Sequence, residues 1–387
     1  MINRKLRMGM VGGGSDAFIG AIHRLAANMD GQIELACGCF SGNPDISISS
    51  GKSYFLPDDR VYKTFEQMFE KEALLPEERR IDFVTIVTPN FLHFKPAMMA
   101  LENKFHVVVD KPITFTLDEA KKLRAKVSET GLILALTHTY SGYPAIKEAR
   151  QLVKQGTLGT IRRIYVEYPQ GWLADKQEDK GNAQAEWRTD PGRSGIAGCM
   201  GDIGTHAFHL AEYVSGLKAT HLCAELNTFV PGRKLDDDGV ALIRFSGGAK
   251  GVLMASQIAL GEENDIKIRI YGDKAGLEWT QADPNTLWLK WPGKPAEKLR
   301  VGQGYLGGTA KHNSRTPAGH PEGYLEAFAN IYRNFSLTVR SRIEGKEPKS
   351  EWLDFPGIED GVRGMQFIET VVRAGHSDDK KWVEIED

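Results

Sequence analysis

The chain of 387 residues reads as two domains, an α/β half built on a doubly wound parallel sheet and an α+β half with an open-faced, largely antiparallel sheet. Three observations predict this. The length exceeds what a single hydrophobic core usually organises. From Arg7 to Thr137 short apolar runs alternate with amphipathic stretches, the rhythm of strands joined by crossover helices. After Tyr140 that rhythm gives way to strands separated by glycine and aspartate turns, with few helices between them. The boundary is placed so that residues 1–138 form the first domain and 139–387 the second.

In the first half the predicted strands are LRMGMV, IELACGC, DFVTIVT, FHVVVD and LILALT, with helical patterns such as LDEAKKLRAKV between them. Right-handed crossovers then give a Rossmann-like sheet. The first strand runs into GGGSDAFIG, a glycine-rich turn that opens a helix. Such a turn brings backbone amides to a pyrophosphate at the helix N-terminus. Gly12, Gly14 and Ala17 fit the spacing GxGxxA, with Phe18 and Ile19 in the same turn; alternatively Gly20 is the third glycine after a short insertion. The second strand ends in CFSGNPD. No Asp or Glu stands in the slot that usually meets the adenosine ribose, but Ser41 and Asn43 offer hydrogen bonds to its hydroxyls. No arginine stands ready for a 2′-phosphate, which favours NAD over NADP.

The second half opens with a helix, AIKEARQLVKQG, and a strand, IRRIYVEY, followed by a long polar loop. Next comes GCMGDIGTHAFHLAEY, residues 198–213, which reads as helical. Helical spacing lines Asp202, His206 and His209 along one face, at intervals of four and three. Such a face holds a metal, holds a substrate or packs. The strands ATHLCAELNTF, GVALIRFSGG, KGVLMASQIAL and DIKIRIYG follow, and helices return at EGYLEAFANIYRNFSLTV and IEDGVRGMQFIETVVRA.

Composition narrows the partners. Lysine plus arginine number 49 against 51 acids, without a basic run interleaved with aromatics, so nothing in the sequence invites nucleic acid or an anionic membrane. The four cysteines, Cys37, Cys39, Cys199 and Cys223, form no CxxC pair and are expected to be reduced thiols. No apolar run approaches the roughly 20 residues of a membrane span, and the N-terminus lacks a signal-peptide core. The expectation is a soluble, cytoplasmic protein that acts on small molecules.

The most specific text is VTPNFLHFKPAMMALENKFHVVVDKP, residues 87–112. Through Thr88, Pro89, Asn90, His93, Pro96, Asp110, Lys111 and Pro112 it resembles the signature of the glucose-fructose oxidoreductase, inositol dehydrogenase and MocA family. GDIGTHAFH resembles that family's second motif through Asp202, Gly204 and His206. Further similarity in EWRTDPGRSG, GHPEGYLEAFANIYRNF and DFPGIEDGVRGMQFIE extends the resemblance over nearly the whole chain. It implies a Rossmann domain followed by an open-faced sheet that forms the contact of a homodimer or homotetramer. It also implies catalysis by Lys111, Asp202 and His206. Where many members carry Asp or Asn three residues after the histidine, this chain has His209. Because the resemblance accounts for two residues of the Asp/His/His face, no metal is expected there.

The implied chemistry is hydride transfer between NAD or NADP and a secondary ring hydroxyl or ketone of a sugar, glycoside or cyclitol. Lys111 would bond the reacting oxygen and His206 would exchange the proton, with Asp202 tuning the pair, although a lysine of lowered pKa could itself be the base. Cofactor contacts are expected from Ser41, Thr88, Pro89, Asn90, His93, Asp110 and Lys111. A Lys-Pro cis bond before Pro112 is also compatible with the triplet. Trp187, Arg188, His209, His320 and Tyr324 complete the expected substrate pocket, with His209 equally readable as a packed core histidine. Two other functions fit the same resemblance: a glycoside hydrolase that uses NAD for transient oxidation and elimination, and a dinucleotide-binding regulator without turnover.

Overall fold

The computed structural model of the chain describes residues 3–15 and 17–386. The first elements are β1 (Leu6–Gly12), α1 (Phe18–Asn28), β2 (Ile33–Cys39), α2 (Pro44–Ser53), α3 (Phe65–Leu74), β3 (Phe83–Val87), α4 (Phe94–Glu102), β4 (His106–Val109), α5 (Leu117–Thr130) and β5 (Leu134–Leu136). After them come α6 (Pro144–Lys154), β6 (Ile161–Pro169), α7 (Ala183–Thr189), α8 (Pro191–Ser194), a π-helical turn (Met200–Gly204), α9 (Thr205–Ser215), β7 (Ala219–Asn227), β8 (Asp238–Phe245) and β9 (Lys250–Ser256). The chain closes with β10 (Lys267–Gly272), β11 (Gly276–Thr280), β12 (Thr286–Lys290), β13 (Glu297–Arg300), α10 (Gly308–His312), α11 (Tyr324–Ile343), α12 (Ile358–Gly375) and β14 (Val383–Glu384).

Two compact units result: Met1–Gly142 with Tyr324–Val362, and Tyr143–Gly323 with Arg363–Asp387. The first carries an all-parallel sheet in the order β2-β1-β3-β4-β5, so the chain reverses its direction of travel across the sheet between β1 and β3. Helices cover both faces, which is why β3 is buried at every position and reads as a continuous apolar run. α5 starts in a capping box between Thr116 and Glu119 and stops at Gly131, whose φ of 64° suits glycine. The sequence boundary assigned everything after 138 to the second domain, but α11 belongs to the first core. Its Phe328, Tyr332, Phe335 and Val339 are buried with Met8, Met10, Phe83 and Val108, and Phe335 meets Phe83 edge-on at 5.0 Å. A helix amphipathic over five turns reveals that it packs, while its partner depends on where the chain returns in space.

The second unit is built on a nine-stranded sheet, β13-β12-β11-β10-β6-β9-β8-β7-β14, antiparallel throughout except for the β6–β9 pair. Alternation along β8 buries Gly239, Ala241, Ile243 and Phe245 and turns the intervening residues outward. α9 packs against β6 and β9, and the π-helical turn packs against β9, with Asp202 bonded to Gln257 just past that strand's end. The four cysteines are free thiols. Among the described residues no helix is long and apolar enough to cross a membrane.

Candidate active site

In the first unit, β1 passes into the glycine turn through Gly12 and Gly13, at φ of 83° and 73°. α1 then begins at Phe18, with Ala17 as an N-cap residue that supplies no side-chain bond to the first amides. A Cβ on Gly20 would lie 2.4 Å from Gly13 Cα, so Gly20, not Ala17, is the glycine that lets helix and turn approach. Its place three residues beyond the usual slot reflects the longer turn. A Cβ on Gly12 would fall 2.9 Å from Thr88 Cγ2, and Thr88 Oγ1 is buried without a partner. A helix start without a side-chain cap, glycine where side chains would obstruct, and an unpaired hydroxyl fit a dinucleotide. Ile19 packs against the core, whereas the Phe18 side chain is 68 % exposed. The Gly13 carbonyl is held by Arg24 Nη1 at 2.6 Å and Tyr54 Oη at 3.1 Å, with the guanidinium stacked 3.8 Å from the Tyr54 ring centre. The arginine of AIHR, one helical turn past Gly20, was the available signal for that clamp.

At the end of β2, Ser41 Oγ accepts from Asn43 N at 3.1 Å and Asn43 Oδ1 caps α2 by accepting from Asp45 N at 3.0 Å. After β3, Pro89 leads into a short 3₁₀ turn from Asn90 to Leu92, and Asn90 Oδ1 accepts from Phe91 N at 3.0 Å. His93 is 1 % exposed, and each ring nitrogen lies 2.8 Å from a backbone carbonyl, Nδ1 from that of Pro112 and Nε2 from that of Thr88. It straps the loop after β3 to the loop after β4. Burial pulls its pKa down, and Lys111 adds to this, while Asp110 and the two carbonyls oppose it.

Asp110 organises the second of those loops. Its Oδ1 accepts from Lys111 N at 2.9 Å and from Thr137 Oγ1 at 2.5 Å, and its Oδ2 lies 4.0 Å from Nε2 of His23. His23 is fully buried and bonded through Nδ1 to Tyr332 Oη at 2.7 Å. Lys111 itself is half-buried, and the Lys111–Pro112 peptide is cis, as the triplet allowed.

In the second unit Asp236 builds the approach to the π-helical turn. Its carboxylate, buried and raised in pKa by that burial, accepts from Gly198 N and Met200 N, each at 2.7 Å. Gly198 is required for close approach, since a Cβ there would fall 2.2 Å from Asp236 O. The sequence reading of one continuous α face is corrected here: Asp202 lies on the wider π turn, while only His206 and His209 share α9. π turns concentrate at functional sites because they re-aim single side chains.

Asp202 Oδ2 accepts from Gln257 Nε2 at 2.9 Å and from Arg188 Nε at 3.1 Å. The guanidinium of Arg188 stacks 4.2 Å from the Trp187 ring centre and 5.9 Å from that of Trp172. His206 is buried, with its ring centre 6.3 Å from that of Tyr168. His209 stacks on Tyr213 at 5.7 Å, which places it among packed aromatic rings. Tyr168, Gln170, Trp172, Gln257 and Asn264 escaped the sequence reading, although YPQGW directly after an apolar strand is where a site residue is expected. Tyr168 Oη and Asn264 Oδ1 are 3.0 Å apart, Gln170 Nε2 also donates to Asn264, and Trp172 Nε1 donates to Gln170 at 3.0 Å. His320 is exposed, whereas Tyr324 opens α11 and packs on Phe328 in the first unit.

Comparison with known proteins agrees with this architecture. The family described as "Oxidoreductase family, NAD-binding Rossmann fold" matches residues 6–138, and "GFO/IDH/MocA C-terminal domain" matches residues 146–278. The chain is 32 % identical to the uncharacterized oxidoreductase YfiI of Bacillus subtilis (strain 168), over 99 % of this chain and 98 % of the relative. It superimposes on an oxidoreductase from Sinorhizobium meliloti with a TM-score of 0.89 and 40 % identity, covering 98 % and 100 % of the two chains. An inositol dehydrogenase homolog from Azotobacter vinelandii, solved with NADH and myo-inositol, gives a TM-score of 0.90 and 33 % identity over 99 % and 98 %.

Proposed function

The chain belongs to the GFO/IDH/MocA family of NAD-binding oxidoreductases, and from that membership we propose that it is a dehydrogenase for a secondary ring hydroxyl of a cyclitol or related sugar. One observation carries the reading: an ion-paired carboxylate, Asp202, stands one turn before a buried imidazole, His206. A module that only sensed the cofactor would have no use for such a pair. Similarity to the inositol dehydrogenase homolog supports a cyclitol as the first substrate to try.

In this reading Lys111 donates a hydrogen bond to the hydroxyl oxygen and stabilises the charge that builds there. His206 accepts the hydroxyl proton, and Asp202 orients or tunes the pair. NAD, when bound, supplies the hydride acceptor. Gly12, Gly14, Gly20, Ser41, Thr88 and Asn90 would hold it, and the lack of an arginine at the end of β2 supports NAD over NADP. Trp187, His320 and Tyr324 are proposed to contact the substrate ring.

The test is reduced-nicotinamide absorbance with wild type and Lys111→Ala, with NAD and NADP, across inositols, free sugars and glycosides. Wild type should oxidise at least one ring alcohol with NAD. Lys111→Ala should keep its cofactor affinity and lose about 10²–10⁴-fold in kcat. A wild type that oxidises none of them, or a fully active Lys111→Ala, sinks the proposal.

We also propose that the outer face of the second unit's sheet is the contact of a homo-oligomer. Strand register aligns Cys223, Leu242, Val252 and Tyr165 in one row across four strands. At its centre, Leu242 is 43 % exposed and neighbouring Val240 38 %. An apolar stripe at the middle of a sheet face, edged by charged residues, is the pattern of a covered surface.

A further inference from the structure

Two donors of different charge meet on one oxygen of Asp202. Gln257 comes from just beyond β9 and is fixed by its backbone, donating from its N–H to Asp237 O at 2.9 Å and accepting from Leu173 N at 3.1 Å. Its side-chain bond to Asp202 is neutral. Arg188 comes from α7 in the polar loop and brings a full positive charge. Its Nη1 also donates to Gln184 Oε1 at 2.7 Å and Gln184 O at 3.2 Å, while Trp187 and Trp172 flank the guanidinium. These bonds engage Nε and Nη1 of the guanidinium.

We propose that Arg188 is a positioning residue that sets the proton affinity of His206 by neutralising Asp202. The inference rests on the reading of His206 as proton acceptor. A lone carboxylate one turn away would hold a proton on the imidazole, whereas a carboxylate shared with a guanidinium presents little net charge and lets the ring work as a base. Gln257 fixes the same oxygen without changing that balance. Tyr168 faces His206 from β6 and His209 follows one turn along α9. Farther along α9, Glu212 is neutralised by Arg363 at 2.7 Å and Lys218 at 3.0 Å. Asp236 and Asp237 in the β7–β8 connection and Asp238 at the start of β8 act on Cys199, beside the π-helical turn.

The experiment titrates His206 in the full-length chain by NMR of its ring protons, with the resonance identified by its loss in His206→Asn. Alongside, the pH profile of kcat/KM for alcohol oxidation is recorded. Arg188→Met, which keeps the apolar stem and removes the charge, should raise the His206 midpoint by about 0.5–1 pH unit and move the acidic limb of the profile by the same amount. Arg188→Gln should do the same if the Met variant does not fold. Arg188→Lys should return most of the shift, and Gln257→Leu should lower kcat while leaving the midpoint within about 0.2 pH unit of wild type. An unmoved midpoint in both neutral Arg188 variants, with KM raised instead, overturns the proposal and returns Arg188 to the substrate. A raised midpoint in a protein that oxidises no alcohol upholds the coupling and removes the dehydrogenase reading.

Discussion

His23 and His106 show how single side chains set the conditions under which the first unit is stable. Burial pulls both down to about 4 from the ordinary 6.5. Each is therefore neutral in the folded chain, and His106 Nδ1 accepts from Ile133 N at 2.9 Å. The unfolded chain binds a proton at each histidine once pH falls below 6.5, while the folded chain resists until about 4. Stability is thus complete above pH 6.5 and is lost as pH falls from there towards 4, by on the order of 3 kcal/mol for each histidine. His106→Gln should flatten part of that dependence, measured as denaturant midpoints across the interval; an unchanged slope would show that burial at His106 has no such effect. His93 carries a related lesson. Its neighbours in sequence suggest a cofactor contact, but its partners are two carbonyls delivered by different loops, and no spacing rule reports a tertiary contact of that kind.

At the scale of elements, the strand–turn–helix of the glycine motif depends on one close approach. Gly20→Ala must push α1 away from Gly13, an overpacking worth about 1–3 kcal/mol, and should weaken NAD binding at least tenfold by titration calorimetry. Retained affinity would show that the turn tolerates the added methyl. The π-helical turn depends instead on Asp236. Asp236→Ala leaves the buried amides of Gly198 and Met200 unpaired, and should destabilise the chain by about 3 kcal/mol and lower kcat more than it raises KM. The five parallel strands were legible because apolar runs and amphipathic helices alternate. The π turn was not, because it departs from an α-helix by one residue in hydrogen-bond register and leaves the hydrophobic pattern almost unchanged. The pairing of Arg188 with Asp202 was equally hidden, since α7 sits in a polar loop whose path the sequence does not specify.

For the whole molecule, the sequence revealed two folding patterns but not which segments complete them. α11 lies late in the chain and still fills the first core, because its apolar face must be buried and the parallel sheet offers the surface. The second sheet poses the complementary problem, an outward face that the chain itself leaves open. Leu242 pairs across the strands with Cys223 and Val252, and Val240 with Glu225 and Met254, so the exposed row is apolar at its centre and charged towards its edge. Burying such a stripe against a second copy removes it from water at about 25 cal/mol per Å², and an isologous contact needs only that this face match itself. Leu242→Arg places a charge at the centre of that contact. It should not disturb the sheet, because the side chain already points outward, so far-UV circular dichroism should match wild type. Light scattering coupled to gel filtration should show wild type as a dimer or tetramer and the variant as a smaller species at the same concentration. A wild type that elutes as a monomer, or a variant of unchanged mass, would mean that the row is covered by something other than a second copy of this chain.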